Sequence, residues 1–126
     1  MVVLDTSALI FWTLDSARLS AKAAGAIAAA DRIAVSTISI WEVGVKTKRL
    51  RLTLPLSLRE YTDRIKYVDK IVIVPVDEQI WIKSLELDWE HRDPADRVIA
   101  ATATLLECPL ITSDSLLLAY FPGAVW

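Results

Sequence analysis

Four carboxylates lie far apart in the sequence, each beside the predicted end of a strand or start of a helix. They are Asp5, Glu42, Asp96 and Asp114. If the fold brings them into one crevice, mutual repulsion keeps some of them protonated unless a cation balances their charge. Carboxylate oxygens without His or Cys partners favour Mg²⁺ or Mn²⁺ over zinc. The four carboxylates therefore indicate a site for a divalent cation.

Three of these acids also have a simpler interpretation in the capping of helices. Asp93 is a typical N-cap, Pro94 a typical first helical residue, and Asp96 falls where the helix dipole favours negative charge. Asp96 could serve as a capping-box partner of residue 93. Asp5 and Asp114 could likewise cap the helices that follow them.

Glu42 has two interpretations that the sequence leaves open. The spacing from Ser39 to Glu42 matches a capping box if the helix starts at Ser39. If the helix starts earlier, at Ser36 or Thr37, Glu42 lies in its second turn and needs another role.

A basic cluster comes just after this acid. Its members are Lys46, Lys48, Arg49 and Arg51. Such clusters are usually solvated surface, but Glu42, Lys46 and Arg49 have helical spacings of four and three. They would therefore place cations beside a carboxylate site.

The elements that must position these groups are short apolar strands alternating with helices. Strands are predicted over residues 1–4, 33–36, 71–76 and 109–112, with a short edge strand at 124–126. Helices are predicted over 8–14, 21–30, 37–48, from Pro55 onwards, from Asp77 to about Trp89, over 94–106 and over 115–120. This alternation predicts right-handed crossovers and a parallel sheet covered on both faces. The predicted fold class is α/β, a three-layer α/β/α arrangement around a parallel sheet of four to five strands. In such sheets the functional crevice lies at the carboxyl ends of the strands.

Composition sets further bounds. The 126 residues predict a single domain over 1–126. The hydrophobic fraction of 54% and the five Trp favour an apolar interface with another chain. A net charge of −2 provides no global basic field, so any contact with nucleic acid must rest on local cations or on metal.

The lone Cys108 forms no internal disulfide and no membrane span or signal peptide is evident, so a cytoplasmic location without membrane association is expected.

Four segments together resemble the PIN-domain ribonucleases, and in particular the VapC-type toxins of toxin–antitoxin pairs. They are Leu4–Ala8, Ser39–Val43, His91–Arg97 and Ile111–Asp114, in matching order and spacing across essentially the whole chain. The resemblance implies a PIN-like fold and endonucleolytic cleavage of RNA that depends on Mg²⁺ or Mn²⁺. Ala95 departs from the family pattern, in which an aromatic residue is frequent in one subgroup.

The same resemblance implies roles for individual residues. Asp5, Glu42, Asp96 and Asp114 would be the catalytic metal ligands. Helpers would be Thr6, Asp93, Thr112 and Ser113, and contacts to the RNA backbone would come from Lys46 and Arg49.

The resemblance also implies partners: a cognate antitoxin, a homodimer and a toxin–antitoxin hetero-oligomer. Apolar side chains on two helices are expected to form a groove for the antitoxin. They are Ile40, Trp41, Val43–Val45, Leu58, Tyr61 and Ile65.

Two alternatives remain at this level. A receiver-like phosphoacceptor domain would use an Asp at the end of the third strand, where Asp77 stands. It would also use a Lys after the last strand, but no Lys or Arg follows residue 112. A PIN-like binding subunit with a degenerate site is the second alternative, and binding of Mn²⁺ would discriminate against it.

Overall fold

The core of the structure is a five-stranded, entirely parallel sheet. The structure is a computed structural model that describes residues 1–126. The strands are β1 (Val2–Leu4), β2 (Ile33–Ser36), β3 (Ile71–Val74), β4 (Leu110–Ile111) and β5 (Ala124–Val125). Their order is β3-β2-β1-β4-β5, and every neighbouring pair is parallel. The predicted sheet of four to five parallel strands is confirmed with five.

Seven α-helices connect the strands. They are α1 (Thr6–Leu14), α2 (Ala21–Ala29), α3 (Thr37–Lys48), α4 (Leu58–Lys66), α5 (Glu78–Glu86), α6 (Pro94–Leu106) and α7 (Ser115–Tyr120). A single 3-10 turn, Ser16–Arg18, lies between α1 and α2.

Three helix ends differ from the sequence-based expectation by two residues or more. Helix α1 begins at Thr6 instead of residue 8, because Asp5 takes the N-cap position and accepts from the Ala8 amide. Helix α4 begins after Ser57 instead of at Pro55, because the Ser57 hydroxyl caps it. Helix α5 ends at Glu86, three residues before Trp89, since the backbone of the next residue is extended.

The two faces of the sheet are covered by different helices, which confirms the three-layer arrangement. Alternate strand residues point to opposite faces. Val2, Leu4, Ile33, Val35 and Ile111 form one buried cluster with residues of α1 and α2. Val3, Ala34 and Leu110 form another with residues of α6 and α7.

The remaining helices extend these layers. Val43 of α3 packs against Tyr61 and Ile65 of α4. A Cβ added to Gly44 would lie 2.8 Å from a Leu58 methyl group, so the glycine allows α3 and α4 to approach closely. None of the helices combines the length and the apolar character that crossing a bilayer requires.

The register of the sheet determines which polar residues meet. Leu4 of β1 pairs with Val35 of β2 and with Ile111 of β4. Because the strands are parallel, the residues that follow these partners come to the same edge. Asp5 and Thr112 are therefore neighbours at the carboxyl end of the sheet, where ligands bind in open α/β folds.

Candidate active site

A small polar pocket opens at this carboxyl edge, with a volume of about 150 Å³. No hydrophobic residue lines it. Its lining consists of Asp5, Thr6, Ser7, Glu42, Lys46, Asp93, Asp96 and Asp114. We call it the acidic pocket. The fold thus brings together the four carboxylates that the sequence singled out, with Asp93 as a fifth.

Asp5 is both the N-cap of α1 and a wall of the acidic pocket. Its Oδ1 accepts a hydrogen bond of 2.7 Å from the Ala8 amide, and its Oδ2 accepts one from the Thr112 hydroxyl. Burial raises the pKa of Asp5 to about 6, and the nearby charges of Asp96 and Asp114 add to this effect. Capping and a role in the site are therefore compatible at this residue.

Glu42 lies in the second turn of α3. Ser36 is the N-cap of this helix and accepts from the Ile38 amide, so the capping box from Ser39 is not formed. The Thr6 hydroxyl instead donates to Oε1 of Glu42. Burial raises the pKa of Glu42, and repulsion from Asp93 and Asp96 raises it further. The structure thereby favours the second interpretation of Glu42, an acid with a role outside helix capping.

The two acids that open α6 have different environments. Asp93 is exposed and caps the helix through a 2.9 Å hydrogen bond from the Ala95 amide. Asp96 is largely buried, and its Oδ2 lies 2.7 Å from Nε2 of His91. Burial raises the pKa of Asp96. The capping-box role for Asp96 is absent, because its carboxylate binds His91.

Asp114 lies at the start of α7 and is held by backbone groups. Its Oδ1 accepts from the amides of Leu116 and Leu117 at 2.9 and 3.0 Å. Its own amide donates to the Thr112 hydroxyl at 3.0 Å. Of the two predicted helpers here, Thr112 thus connects Asp5 to Asp114, whereas Ser113 does not line the acidic pocket.

A larger cleft of about 610 Å³ adjoins the acidic pocket, with which it shares Glu42, Lys46 and Asp93. We call it the basic cleft. Its remaining lining residues are Ile38, Trp41, Val45, Arg49, Arg51, Trp81, Pro94 and Ala95. Arg49 lies just beyond the end of α3, at its C-cap, yet still lines the cleft together with Lys46. The predicted grouping of these cations beside Glu42 is therefore present.

The acidic pocket has the composition of a site for a hard divalent cation. It gathers oxygen donors from five carboxylates, while Lys46 is the only cationic side chain among its lining residues. The raised pKa values of Asp5, Glu42 and Asp96 reflect first the cost of burying these carboxylates and then the repulsion among their charges. A cation of the Mg²⁺ or Mn²⁺ type would remove that cost, so the residues present fit such an ion.

The family model described as PIN domain matches residues 2–120. The chain belongs to the PIN-domain family. This PIN-domain chain is 29% identical to Ribonuclease VapC22 of Mycobacterium tuberculosis, over 99% of its own length and 98% of that protein.

Solved structures share the fold over nearly the whole chain. A toxin–antitoxin complex from Klebsiella pneumoniae superimposes with a TM-score of 0.69 at 25% identity, covering 100% of this chain and 97% of that one. VapBC2 from Rickettsia felis, bound to a DNA fragment from its promoter, gives a TM-score of 0.64 at 15% identity, covering 98% and 96%. The second likeness is evidence for the fold alone.

The receiver-like alternative does not agree with this PIN-domain arrangement. Asp77 follows β3, which is an edge strand of the sheet. It caps α5 by accepting from the Ile80 amide at 3.0 Å and does not line the acidic pocket. The acid that a receiver would phosphorylate is therefore away from the carboxylate cluster.

Two polar residues at or beside the acidic pocket are not among the site residues predicted from sequence. Ser7 lines the acidic pocket, and His91 contacts Asp96. The ligand atoms of His91, Asp93 and Asp96 lie within 4.8 Å of one another. The available signal was the position of His91 two residues before the N-cap, from which a loop can fold back over the first helical turn.

Proposed function

We propose that this chain is an endoribonuclease dependent on Mg²⁺ or Mn²⁺ and acts as the toxin of a toxin–antitoxin pair. The observation that carries the proposal is the convergence of four carboxylates in one wholly polar pocket. These are Asp5, Glu42, Asp96 and Asp114. Membership of the PIN-domain family and the similarity to Ribonuclease VapC22 support the same assignment.

The four carboxylates would hold the cation. When bound, such a cation activates water as a nucleophile and offsets negative charge that develops on the phosphodiester. The protein supplies orientation: Thr112 donates to Asp5, and Thr6 donates to Glu42. Each hydroxyl restrains one carboxylate oxygen, which reduces the reorganisation needed on binding. Asp93 is exposed at the rim of the pocket. It is assigned to capping α6 and to contacts around the metal ligands, and not to the cation itself.

The basic cleft is the proposed path of the RNA strand. Lys46 and Arg49 would contact backbone phosphates, which position a nucleic acid without reading its sequence. Trp41 and Trp81, which are 64% and 47% exposed, also line the cleft. Exposed aromatic rings beside cations are a common surface for stacking unpaired bases. Because the cleft and the acidic pocket share residues, a strand in the cleft would pass beside the carboxylates.

An apolar groove between α1 and α4 is the proposed site for an antitoxin segment. Its volume is about 500 Å³, and its lining includes Trp12, Leu14, Leu56, Tyr61, Ile65 and Val68. Of the side chains expected from sequence, only Tyr61 and Ile65 line this groove, because Val43 is buried behind them and Trp41 lines the basic cleft. The toxin–antitoxin complex from Klebsiella pneumoniae that shares the fold supports a protein partner of this kind.

Cleavage of RNA in the presence and absence of chelator tests the enzymatic part. The purified chain is incubated with structured RNA in Mg²⁺, in Mn²⁺ and in EDTA, alongside Asp5→Asn and Asp77→Asn. Both substitutions keep a good N-cap, since Asn caps as well as Asp, but only the first removes a carboxylate from the acidic pocket. We expect cleavage by the wild type and Asp77→Asn in either metal only.

Cleavage that survives both EDTA and Asp5→Asn would overturn the metal-dependent mechanism. Absence of both Mn²⁺ binding and RNA cleavage would instead support a PIN-like binding subunit with a degenerate site. The toxin role has its own test in cells. Expression of the chain alone should arrest growth, Asp96→Asn should be harmless, and co-expression with the product of an adjacent small gene should restore growth. Growth that is unaffected by the wild-type chain would refute that role.

A further inference from the structure

We propose that His91 is a positioning residue that fixes the carboxylate of Asp96 for cation binding. This inference rests on the proposed metal-dependent function. Nε2 of His91 lies 2.7 Å from Oδ2 of Asp96, and both side chains are largely buried, with exposures of 18% and 19%. A His with a proton on Nε2 donates this hydrogen bond whether the ring is neutral or charged. The contact therefore requires that Nε2 of His91 carries a proton.

The loop that presents His91 is anchored by Arg97. The guanidinium of Arg97 donates to four backbone carbonyls, at Ser84, Leu87, Trp89 and His91. Arg97 follows Asp96 directly in α6. The same helical turn therefore carries the carboxylate and the group that anchors the loop against it, so the position of His91 is tied to that of Asp96.

Aromatic stacking fixes the ring itself. The rings of Trp89 and His91 stack with centroids 4.5 Å apart, and Trp89 stacks on Tyr120 at 4.4 Å with an interplanar angle of 5°. Tyr120 is the last residue of α7, the helix that Asp114 caps. The stack therefore joins the His91 loop to the element that carries another carboxylate of the acidic pocket.

The contact with His91 determines which oxygen of Asp96 remains available for a cation. His91 binds Oδ2 of Asp96, and no protein group donates to Oδ1. The arrangement leaves Oδ1 as the oxygen through which Asp96 would bind a cation. Hydrogen bonds to ligating carboxylates commonly tune metal sites, and their loss typically weakens metal binding by about 10- to 100-fold. His91 would thus act on the cation through Asp96 and not as a ligand.

Three variants of the full chain test this assignment by Mn²⁺ titration calorimetry. His91→Phe keeps a ring for stacking on Trp89 but removes the donor, and His91→Gln restores a donor without the ring. Tyr120→Leu removes the far end of the stack, with Tyr67→Leu, a highly exposed tyrosine, as its control. We expect affinity to fall about 10-fold in His91→Phe, to recover in part in His91→Gln, and to fall less in Tyr120→Leu. Tyr67→Leu should match the wild type.

Electron spin-echo spectroscopy of bound Mn²⁺ provides a readout that a simple loss of stability would not change. If His91 acts through Asp96, the wild-type spectrum contains no directly coordinated ¹⁴N. A strong ¹⁴N coupling that disappears in His91→Phe would identify His91 as a ligand and overturn the positioning role. Wild-type affinity in His91→Phe would overturn it as well. If the wild type itself bound no Mn²⁺, the proposed metal-dependent function would fail first, and that outcome is distinct from the other two.

Discussion

The Thr112 hydroxyl donates a hydrogen bond to Oδ2 of Asp5 across two neighbouring parallel strands, although 107 residues separate them in the chain. The contact follows from the register, because the residues that precede the two pair directly in the sheet. Asp5 is consequently held at both oxygens, by Thr112 on one side and by the Ala8 amide on the other. These two hydrogen bonds stabilise the ionised carboxylate, but the cost of its burial outweighs them.

Replacing Asp5 with Asn should stabilise the metal-free protein at neutral pH. Burial raises the pKa of Asp5 from its ordinary 3.8 to about 6. Between these values the folded state binds more protons than the unfolded state, so the free energy of unfolding falls as pH rises. The full cost of ionising the buried Asp5 is at most about 3 kcal/mol of unfolding free energy. It is present above pH 6 and absent below about pH 4.

Urea unfolding in EDTA at pH 4 and pH 7.5 checks this difference. Asp5→Asn should unfold at higher urea than the wild type at pH 7.5, and the gap should close at pH 4. Asp77→Asn, an exposed N-cap outside the acidic pocket, is the matched control and should show neither effect. Adding Mn²⁺ should raise the wild-type midpoint but leave that of Asp5→Asn unchanged. A gap that widened at pH 4 would contradict the assigned direction of the pKa shift.

Thr112→Val should weaken both folding and metal binding. The substitution keeps the shape of a fully buried side chain but removes the donor to Asp5 and the acceptor for the Asp114 amide. Loss of buried partners costs about 1–3 kcal/mol, and Mn²⁺ affinity should fall about 10-fold. Thr112→Ser, which keeps the hydroxyl, should retain most of the affinity.

Thr102→Val is the control for this experiment, because Thr102 is also a buried threonine and its hydroxyl bonds only to the Val98 carbonyl of its own helix. Calorimetric titration with Mn²⁺ should find it equal to the wild type. Equal Mn²⁺ affinities for Thr112→Val and Thr102→Val would show that Thr112 has no part in the metal site.

The two acids at the start of α6 should respond differently to the same substitution. Asp93→Asn keeps an N-cap of nearly equal quality, so stability and cleavage should stay within about threefold of the wild type. Asp96→Asn still accepts from His91 but loses a ligand charge, so Mn²⁺ affinity and cleavage should fall together, by about 100-fold or more. Cleavage rates and Mn²⁺ titrations on both variants provide the comparison. An inactive Asp93→Asn with an active Asp96→Asn would reverse the assignment of these residues.

Much of this site could be predicted from sequence, because strand ends and helix starts have local signals. Buried β-branched runs mark the strands, and Asp93-Pro94 marks the start of α6. The contact of His91 with Asp96 could not be predicted in this way. It depends on a loop conformation that Arg97 fixes through four carbonyls, and no local pattern encodes which carbonyls a guanidinium will reach. The start of α4 was missed because the Ser57 cap outweighed the more conspicuous Pro55.

Lys46 and Arg49 should account for part of the salt dependence of RNA binding. Each phosphate contact to a single strand contributes about 0.7 to the slope of log affinity against log salt concentration. Lys46→Ala with Arg49→Ala should therefore lower that slope by about 1.4. Binding is measured in EDTA, so that no cleavage occurs. Arg59→Ala with Lys66→Ala, two exposed cations of α4, provides the control. A slope that fell equally in both pairs would argue against a defined path through the basic cleft.

The last prediction concerns the outer face of α5. Ile82 and Leu85 lie about one turn apart on this helix and are 50% and 81% exposed, whereas Trp81 belongs to the basic cleft. An apolar stripe of this kind, flanked by charged residues, is typical of a surface that another chain covers. We expect the chain to form a homodimer through this stripe, and Leu85→Glu to shift the dimer towards monomer by burying an unpaired charge at the interface.

Leu50→Glu is the matched control, because Leu50 is 93% exposed in the segment between α3 and α4. Size-exclusion chromatography with light scattering at several concentrations should give a dimer for the wild type and Leu50→Glu, and a lower mass for Leu85→Glu. A dimer that persisted in Leu85→Glu but dissociated in Leu50→Glu would move the interface to the other surface.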